Sequence, residues 1–166
     1  MISYKFIEIS NIDSIRAIES MAKQIWREYY PFLCSKEQID YMLEMFQSEK
    51  AIISQIKQGY RYYLIRHKEA PAGYISFKIN ADNVFLSKLY LKSNLRGIGL
   101  GKKMLEFVEK TSLENKISII NLHVNKKNLN SLKLYEKAGF KIKKSLVTDI
   151  GNGFVMDDYL MEKELI

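Results

Sequence analysis

A chain of 166 residues with 47% hydrophobic and 27% charged residues is long enough for one sizeable core and too evenly mixed for a disordered tail. Its net charge of +7 admits an anionic partner, but the lysines are scattered, with no zinc-ligand spacing, no RNP-like aromatic pattern and no arginine-rich stripe, which argues against nucleic acid. No run reaches membrane-helix length, the opening residues 1–9 lack a signal peptide's apolar stretch, and the single Cys34 excludes an internal disulfide. The expectation is a soluble, cytoplasmic chain with no membrane contact and no bound metal.

Residues 2–9 alternate as a first strand. Asn11 or Asp13 caps a helix whose apolar positions Ile15, Ile18, Met21, Ala22, Ile25 and Trp26 keep the helical period until Pro31 ends it. Ser35 and Gln38 form a capping box for a second helix with Ile39, Met42, Leu43 and Phe46 on one face, and residues 51–58 add a short third. Gly59 opens a β region. Residues 60–67 and 73–79 are strands around a turn at 68–72, where Pro71 blocks continuation, and residues 84–91 follow a turn at 80–83.

After Leu91 the pattern changes to a loop at 92–98 and then Leu100, Met104, Phe107, Val108 and Thr111 at helical spacing. Residues 117–124 read as a strand, 128–137 as a helix terminated by Gly139, and 140–147 with 154–164 as a closing pair around a turn at 150–153. The strand–helix–strand unit from Val84 to Val124 needs a right-handed crossover, so its strands are parallel neighbours. One α/β domain over residues 1–166, with a mixed sheet, is the expected architecture.

The segment Arg96-Gly97-Ile98-Gly99-Leu100-Gly101-Lys102 lies between a strand and a long helix. The first amides of a helix have no intrahelical acceptor, glycines let backbone approach an anion, and Arg96 and Lys102 add positive charge, so a pyrophosphate fits here. A Walker loop fails because Lys102-Lys103-Met104 lacks the Ser/Thr after the lysine. A dinucleotide loop fails on the spacing of its third glycine.

The remaining pattern resembles the Gln/Arg-x-x-Gly-x-Gly/Ala signature of the GNAT family of N-acetyltransferases, with Leu86–Leu91 resembling the family's fourth strand. The stretch from Asn128 to Phe140 is similar to the family's Asn-x-x-Ala-x-x-x-Tyr-x-x-x-Gly-Phe, with Ser131 in place of the usual Ala. The resemblance implies a GNAT-like fold: a mixed, mostly antiparallel sheet of about seven strands flanked by helices, with splayed central parallel strands. It implies acetyl-CoA as cosubstrate, its pyrophosphate on the amides of Arg96, Gly97, Ile98, Gly99, Leu100, Gly101 and Lys102. The edge of Leu89 and Leu91 would take the pantetheine arm as an added strand, with Asn128 and Ser131 beside it and Tyr135 near the sulfur as general acid.

The family's usual Glu on the fourth strand is Ser87 here, so no base is assigned. His123, or water relayed through Asn121, Ser87 or a carboxylate, are the alternatives. The C-terminal segment from Gly151 and the Ile-Trp-Arg-Glu-Tyr-Tyr-Pro stretch resemble the branch containing bacterial spermidine/spermine acetyltransferases. That implies a small polyamine acceptor, with Glu28, Asp40, Glu44, Asp157 and Asp158 as candidate acids, and Trp26, Tyr29 and Tyr30 as a candidate wall. A protein or peptide amine and a non-catalytic acyl-CoA sensor are the competing readings, and a homodimer is allowed.

Overall fold

The computed structural model describes residues 2–166; Met1, in the opening segment, lies outside them. The elements are β1 (Tyr4–Glu8), α1 (Ile12–Tyr29), α2 (Lys36–Gln47), α3 (Glu49–Lys57), β2 (Tyr60–His67), β3 (Ala70–Ile79), β4 (Val84–Leu91), α4 (Leu100–Glu114), β5 (Ile119–Asn125), α5 (Leu129–Lys137), β6 (Lys141–Gly151) and β7 (Phe154–Glu164). They form a seven-stranded sheet in the order β1-β2-β3-β4-β5-β7-β6. Val84–Leu86 pairs in parallel with residues 120–122 of β5, as the crossover rule requires, while β1 with β2, β5 with β7 and β6 with β7 are antiparallel.

The chain divides into two compact units, Met1–Phe77 with Lys88–Leu100, and Lys78–Ser87 with Gly101–Ile166. In the first, Asn11 caps α1 by accepting from the Ser14 amide at 2.9 Å, and Ser35 caps α2 by accepting from the Gln38 amide at 3.2 Å. Each such cap stabilises its helix by about 1 kcal/mol. The apolar stripe of α1 is buried as its spacing requires, Trp26 included at 2% exposure, and residues 62–65 of β2 with Tyr74, Ile75 and Phe77 of β3 complete this core. In the second unit Met104 and Val108 of α4, Ile120 and Leu122 of β5, and Met161 of β7 are buried.

Strand boundaries differ from the sequence reading at three places. The turn between β2 and β3 is only Lys68-Glu69, both at positive φ (48° and 63°), so β3 begins at Ala70 and contains Pro71. A proline is tolerated in the first residues of a strand, where no ladder amide is needed from it. At the other end β6 runs to Gly151, which pairs with Phe154, so the expected turn at 150–153 shrinks to two residues. The strand expected from residue 117 starts at Ile119, because the Ile117 amide is held by the Ser112 carbonyl at 2.9 Å in the turn that ends α4.

One charge lies inside the first unit. Lys88 of β4 is 5% exposed, and its Nζ donates to Tyr62 Oη at 2.5 Å, to Gln55 Oε1 at 2.9 Å and to the Phe46 carbonyl. Phe46 lies in the last turn of α2, where a cation suits the helix dipole. Burial pushes the Lys88 ammonium down to about 7, against the three oxygens that favour its charged form. With a folded value near 7 and an unfolded value near 10.4, the unfolded chain holds more protons across that window. Stability therefore rises with pH from about 7 to 10, with a slope of at most about 1.4 kcal/mol per pH unit. Chemical denaturation at intervals over that range should show the climb, and Lys88→Met should flatten it.

Candidate functional site

The phosphate-binding expectation falls on the loop that joins β4 to the first turn of α4. After β4 ends at Leu91, a short 3-10 turn covers Ser93–Leu95, Arg96 is extended, and α4 begins at Leu100. Gly97 and Gly99 have φ of 76° and 92°, a conformation that L side chains rarely adopt. A Cβ on Gly97 would meet nothing within 4 Å, so glycine is needed there for the backbone angle rather than for space. Residues 96–99 are exposed while Leu100 is 1% exposed, so the loop is anchored at the first residue of the helix. The first amides of α4, at the positive end of its dipole, form a set of donors that suits a pyrophosphate.

The two cations flanking this nest differ. Arg96 donates from Nη2 to the Leu91 carbonyl at 3.1 Å, and its guanidinium stands 4.8 Å from the centre of the Tyr29 ring. It braces the end of β4 as much as it adds charge. Lys102 is 75% exposed and 3.9 Å from Glu106, a distance at which an exposed pair contributes little. Lys103 pairs with the same carboxylate at 2.8 Å and holds its pKa below the usual range.

On the cofactor edge proposed from sequence, Leu89 is half-buried and Leu91 is 8% exposed. Gly73 of β3 governs this stretch: a Cβ there would stand 2.2 Å from the Tyr90 carbonyl oxygen. Beside it the Lys92 amide donates to the Ala72 carbonyl at 2.9 Å. Tyr90 also belongs to an aromatic cluster, with Tyr74 at 5.2 Å, Trp26 at 5.7 Å and Tyr30 at 6.4 Å between ring centres. Trp26 stacks on Tyr30 at 4.0 Å and Tyr29 meets Tyr30 edge-on at 5.7 Å. Trp26 is thus a core residue with its faces occupied, and only Tyr29, Tyr30 and Tyr90 keep partial exposure.

In the second unit, Asn128 Oδ1 accepts from the Ser131 amide at 3.2 Å and caps α5. The spacing that suggested contact with pantetheine therefore has a structural use as well. Ser131 is half-buried one turn before Tyr135, which is 8% exposed and meets Phe140 edge-on at 5.8 Å. Among the candidate bases, His123 is exposed at an edge-on distance of 5.2 Å from Phe85, and burial of part of the ring, then Lys144, push it below its ordinary value. Asn121 is joined to Asn83 at 3.0 Å.

Most of the candidate acids already have partners. Asp40 pairs with Arg27 at 3.6 Å, Asp157 with Lys126 at 2.7 Å, and Glu28 accepts from Ser93 and Gln24 at 3.3 Å. Asp158 is 2% exposed, and burial first, then the charge of Asp157, push its carboxyl up to about 6. Two residues that bear on the site were missed from sequence. Gly73 carried a signal, since a glycine inside a strand marks close backbone approach. Lys88 carried another, because it shares strand parity with Val84 and Leu86. Tyr29 was named only as part of a candidate wall, and nothing local marked it as the perch of Arg96.

No helix among the described residues is long and apolar enough to cross a membrane, and no group of metal-ligating side chains occurs among them. Residues 18–140 match the family model described as acetyltransferase (GNAT) family. A spermidine N(1)-acetyltransferase of Thermoplasma acidophilum is 27% identical over 152 residues, spanning 89% of this chain and 92% of the relative. Among solved structures, the PaiA N-acetyltransferase of Thermoplasma acidophilum in complex with coenzyme A superposes with a TM-score of 0.83 at 24% identity, over 98% of this chain and 99% of the other. The ribosomal-protein-S18-alanine N-acetyltransferase of Escherichia coli gives 0.74 at 15% identity, over 98% and 94%.

The nest makes a direct prediction for binding. Melting temperature should rise with acetyl-CoA concentration, as expected when a ligand binds only the folded state. Gly99→Glu should abolish the rise, because it puts a carboxylate at the donors and a side chain at a φ of 92°. Isothermal titration of both proteins checks this, and a wild-type melt unmoved by saturating acetyl-CoA contradicts it.

Proposed function

The chain belongs to the GNAT family of acetyltransferases, and from that premise we propose that it moves the acetyl group of acetyl-CoA onto a small polyamine, with Tyr135 as general acid. Acetyl-CoA-dependent N-acetyl transfer is the activity itself; the acceptor and the acid are the added content. The observation that carries the acceptor is the relatedness to a spermidine N(1)-acetyltransferase along nearly the whole of both chains.

The reaction joins an amine nitrogen to the thioester carbonyl and breaks the C–S bond. A primary amine near pKa 10.4 is protonated at pH 7, and reaching the free base costs about 4.6 kcal/mol. Amides of the Arg96–Lys102 segment would hold the pyrophosphate, and the edge of Leu89 and Leu91 would pair with the pantetheine. A strand amide near Leu89 would donate to the carbonyl oxygen as negative charge gathers there. Tyr135 then donates its phenol proton to the departing sulfur. A phenol suits this step because it keeps its proton at neutral pH until charge develops beside it.

A polycation must overcome the long-range repulsion of a chain with net charge +7, which calls for local carboxylates; Glu28, Glu44, Asp157 and Asp158 are the candidates. A peptide amine presents one cation and depends on them less.

Two measurements test the reading. Tyr135→Phe should lower kcat at least about tenfold, within the range of general acid catalysis, and leave the Kd for acetyl-CoA unchanged. Thiol release should be compared for spermidine, spermine, a lysine-rich peptide and an N-terminal peptide at two ionic strengths. The KM for spermidine should rise with salt, since exposed charges are screened over about 10 Å at 0.1 M. A peptide preferred about a hundredfold in kcat/KM, roughly 2.7 kcal/mol of transition-state discrimination, overturns the polyamine assignment and leaves acetyl transfer standing.

A further inference from the structure

The end of α1 lies against the chain that leads from β4 into the glycine loop, and two successive residues make the contact. Ser93 Oγ donates to Glu28 Oε2 at 3.3 Å, and the Arg96 guanidinium stands 4.8 Å from the centre of the Tyr29 ring. Ser93 opens the 3-10 turn after β4 and Arg96 closes it, so both ends of that turn are tied to one helix end. Arg96 also donates from Nη2 to the Leu91 carbonyl at 3.1 Å, which leads the guanidinium back to the last residue of β4. All of these residues belong to the first compact unit.

The sequence places the ring there. Pro31 has no amide to continue the helical ladder, so α1 stops at Tyr29 and a 3-10 turn over Tyr30–Phe32 follows. A helix C-terminus carries the negative end of the dipole, and the face of a tyrosine is negative too, so both favour a guanidinium at this spot. The Tyr29 ring meets Tyr30 edge-on at 5.7 Å, and Tyr30 stacks on the buried Trp26 at 4.0 Å. Arg96 therefore rests on a ring that is backed by the core. Downstream, residues 97–99 are exposed and the next buried residue is Leu100. The positive φ angles of Gly97 and Gly99 are thus held between the Arg96 brace and that anchor.

We propose that Tyr29 is a positioning residue for the cofactor: by seating Arg96 against the end of β4, it holds the loop in the shape that presents the amides of residues 97–100 to the pyrophosphate. This rests on the reading of that loop as the pyrophosphate site of acetyl-CoA. In this arrangement Arg96 is a brace, and backbone donors meet the phosphate oxygens. A loop ordered before the ligand arrives loses less freedom on binding, so removing the perch costs affinity through Arg96 and not through a contact of Tyr29 with the cofactor. A tyrosine that only fills space at the end of α1 behaves differently, because its loss is felt in stability and not in the loop.

The test is isothermal titration of acetyl-CoA into the full chain and its variants, each also melted without ligand. Tyr29→Ala should weaken binding about threefold to tenfold, the range for a lost cation–aromatic contact beside a loop that must then be ordered by the ligand. Tyr29→Phe keeps the ring face and should bind within about twofold of wild type. Tyr29→Leu fills the space without that face and should bind as weakly as Tyr29→Ala, for which it stands in if the alanine variant does not fold. Because Tyr29 acts through Arg96, Tyr29→Ala should add nothing to the loss caused by Arg96→Ala. Unchanged affinity in the alanine or leucine variant, equal weakening in Tyr29→Phe, or full additivity of the two losses overturns the assignment. Gly99→Glu separates this proposal from the reading beneath it. If that variant does not bind while Tyr29→Ala binds as wild type does, the loop holds the pyrophosphate and only the perch is wrong. If Gly99→Glu binds as wild type does, the loop reading and this proposal fall together.

Discussion

Backbone meets backbone where β3 passes the end of β4, and much of the edge proposed for the cofactor depends on that approach. A methyl group at Gly73 would lie 2.2 Å from the Tyr90 carbonyl, closer than any real contact. Hence β3 must move away or Tyr90 must turn if residue 73 acquires a side chain. Tyr90 lies between Leu89 and Leu91, and the Lys92 amide is bound to Ala72, the neighbour of Gly73. The same strand end is gripped by Arg96 through the Leu91 carbonyl. Close packing, a strand-end hydrogen bond and a guanidinium brace therefore fix one short run of chain, and the loop to α4 starts from it. Residues that must present amides to an anion gain from such anchoring, since order established before binding is not lost on binding.

Charge placement follows a second rule. Surface carboxylates are widely partnered: Glu49 by Arg16, Glu69 by Lys5, Glu106 by Lys103. Lys88 and Asp158, by contrast, are buried charged side chains. Desolvation is the first cause of the shift in each, and it moves them toward neutrality from opposite sides, to about 7 and about 6. Their effects on stability fall in separate windows. Below about pH 6 the folded state binds the extra proton at Asp158, so stability falls as pH climbs from about 4 to 6. Lys88 acts above 7 and in the other sense, because there the unfolded chain binds the proton.

The helical half of the fold was legible because amphipathic spacing and caps are local. Asn11, Ser35 and Asn128 cap the helices whose starts they mark, and the buried faces of α1 and α2 follow their periods. The parallel pairing of β4 with β5 followed from the helix that connects them. Strand ends were less legible. Pro71 reads as a breaker, yet whether a strand includes it depends on which amides the neighbouring strand needs, and that is not local. The extension of β6 to Gly151 depends on β7 continuing the ladder. At the site, the loop was legible as a donor array, while the destination of the Arg96 side chain was not, since Leu91 and Tyr29 come to it through tertiary packing.

That destination changes how the loop would attract the anion proposed for it. A free guanidinium beside the nest would bind phosphate oxygens in a bidentate manner and supply much of the attraction. Here the Arg96 guanidinium is held by a carbonyl on one side and an aromatic face on the other, and Lys102 is a solvated charge at 75% exposure. Attraction at contact would then fall to the amides of the α4 start, which follow the two glycines at positive φ. Amide donors differ from lysines in two respects: salt screens them less at contact, and they are sensitive to geometry rather than to net charge. Replacing Lys102 and replacing Gly99 are therefore different operations on the same site. The first weakens a long-range field that the other basic residues of a +7 chain also maintain, whereas the second removes the backbone shape on which the donors converge.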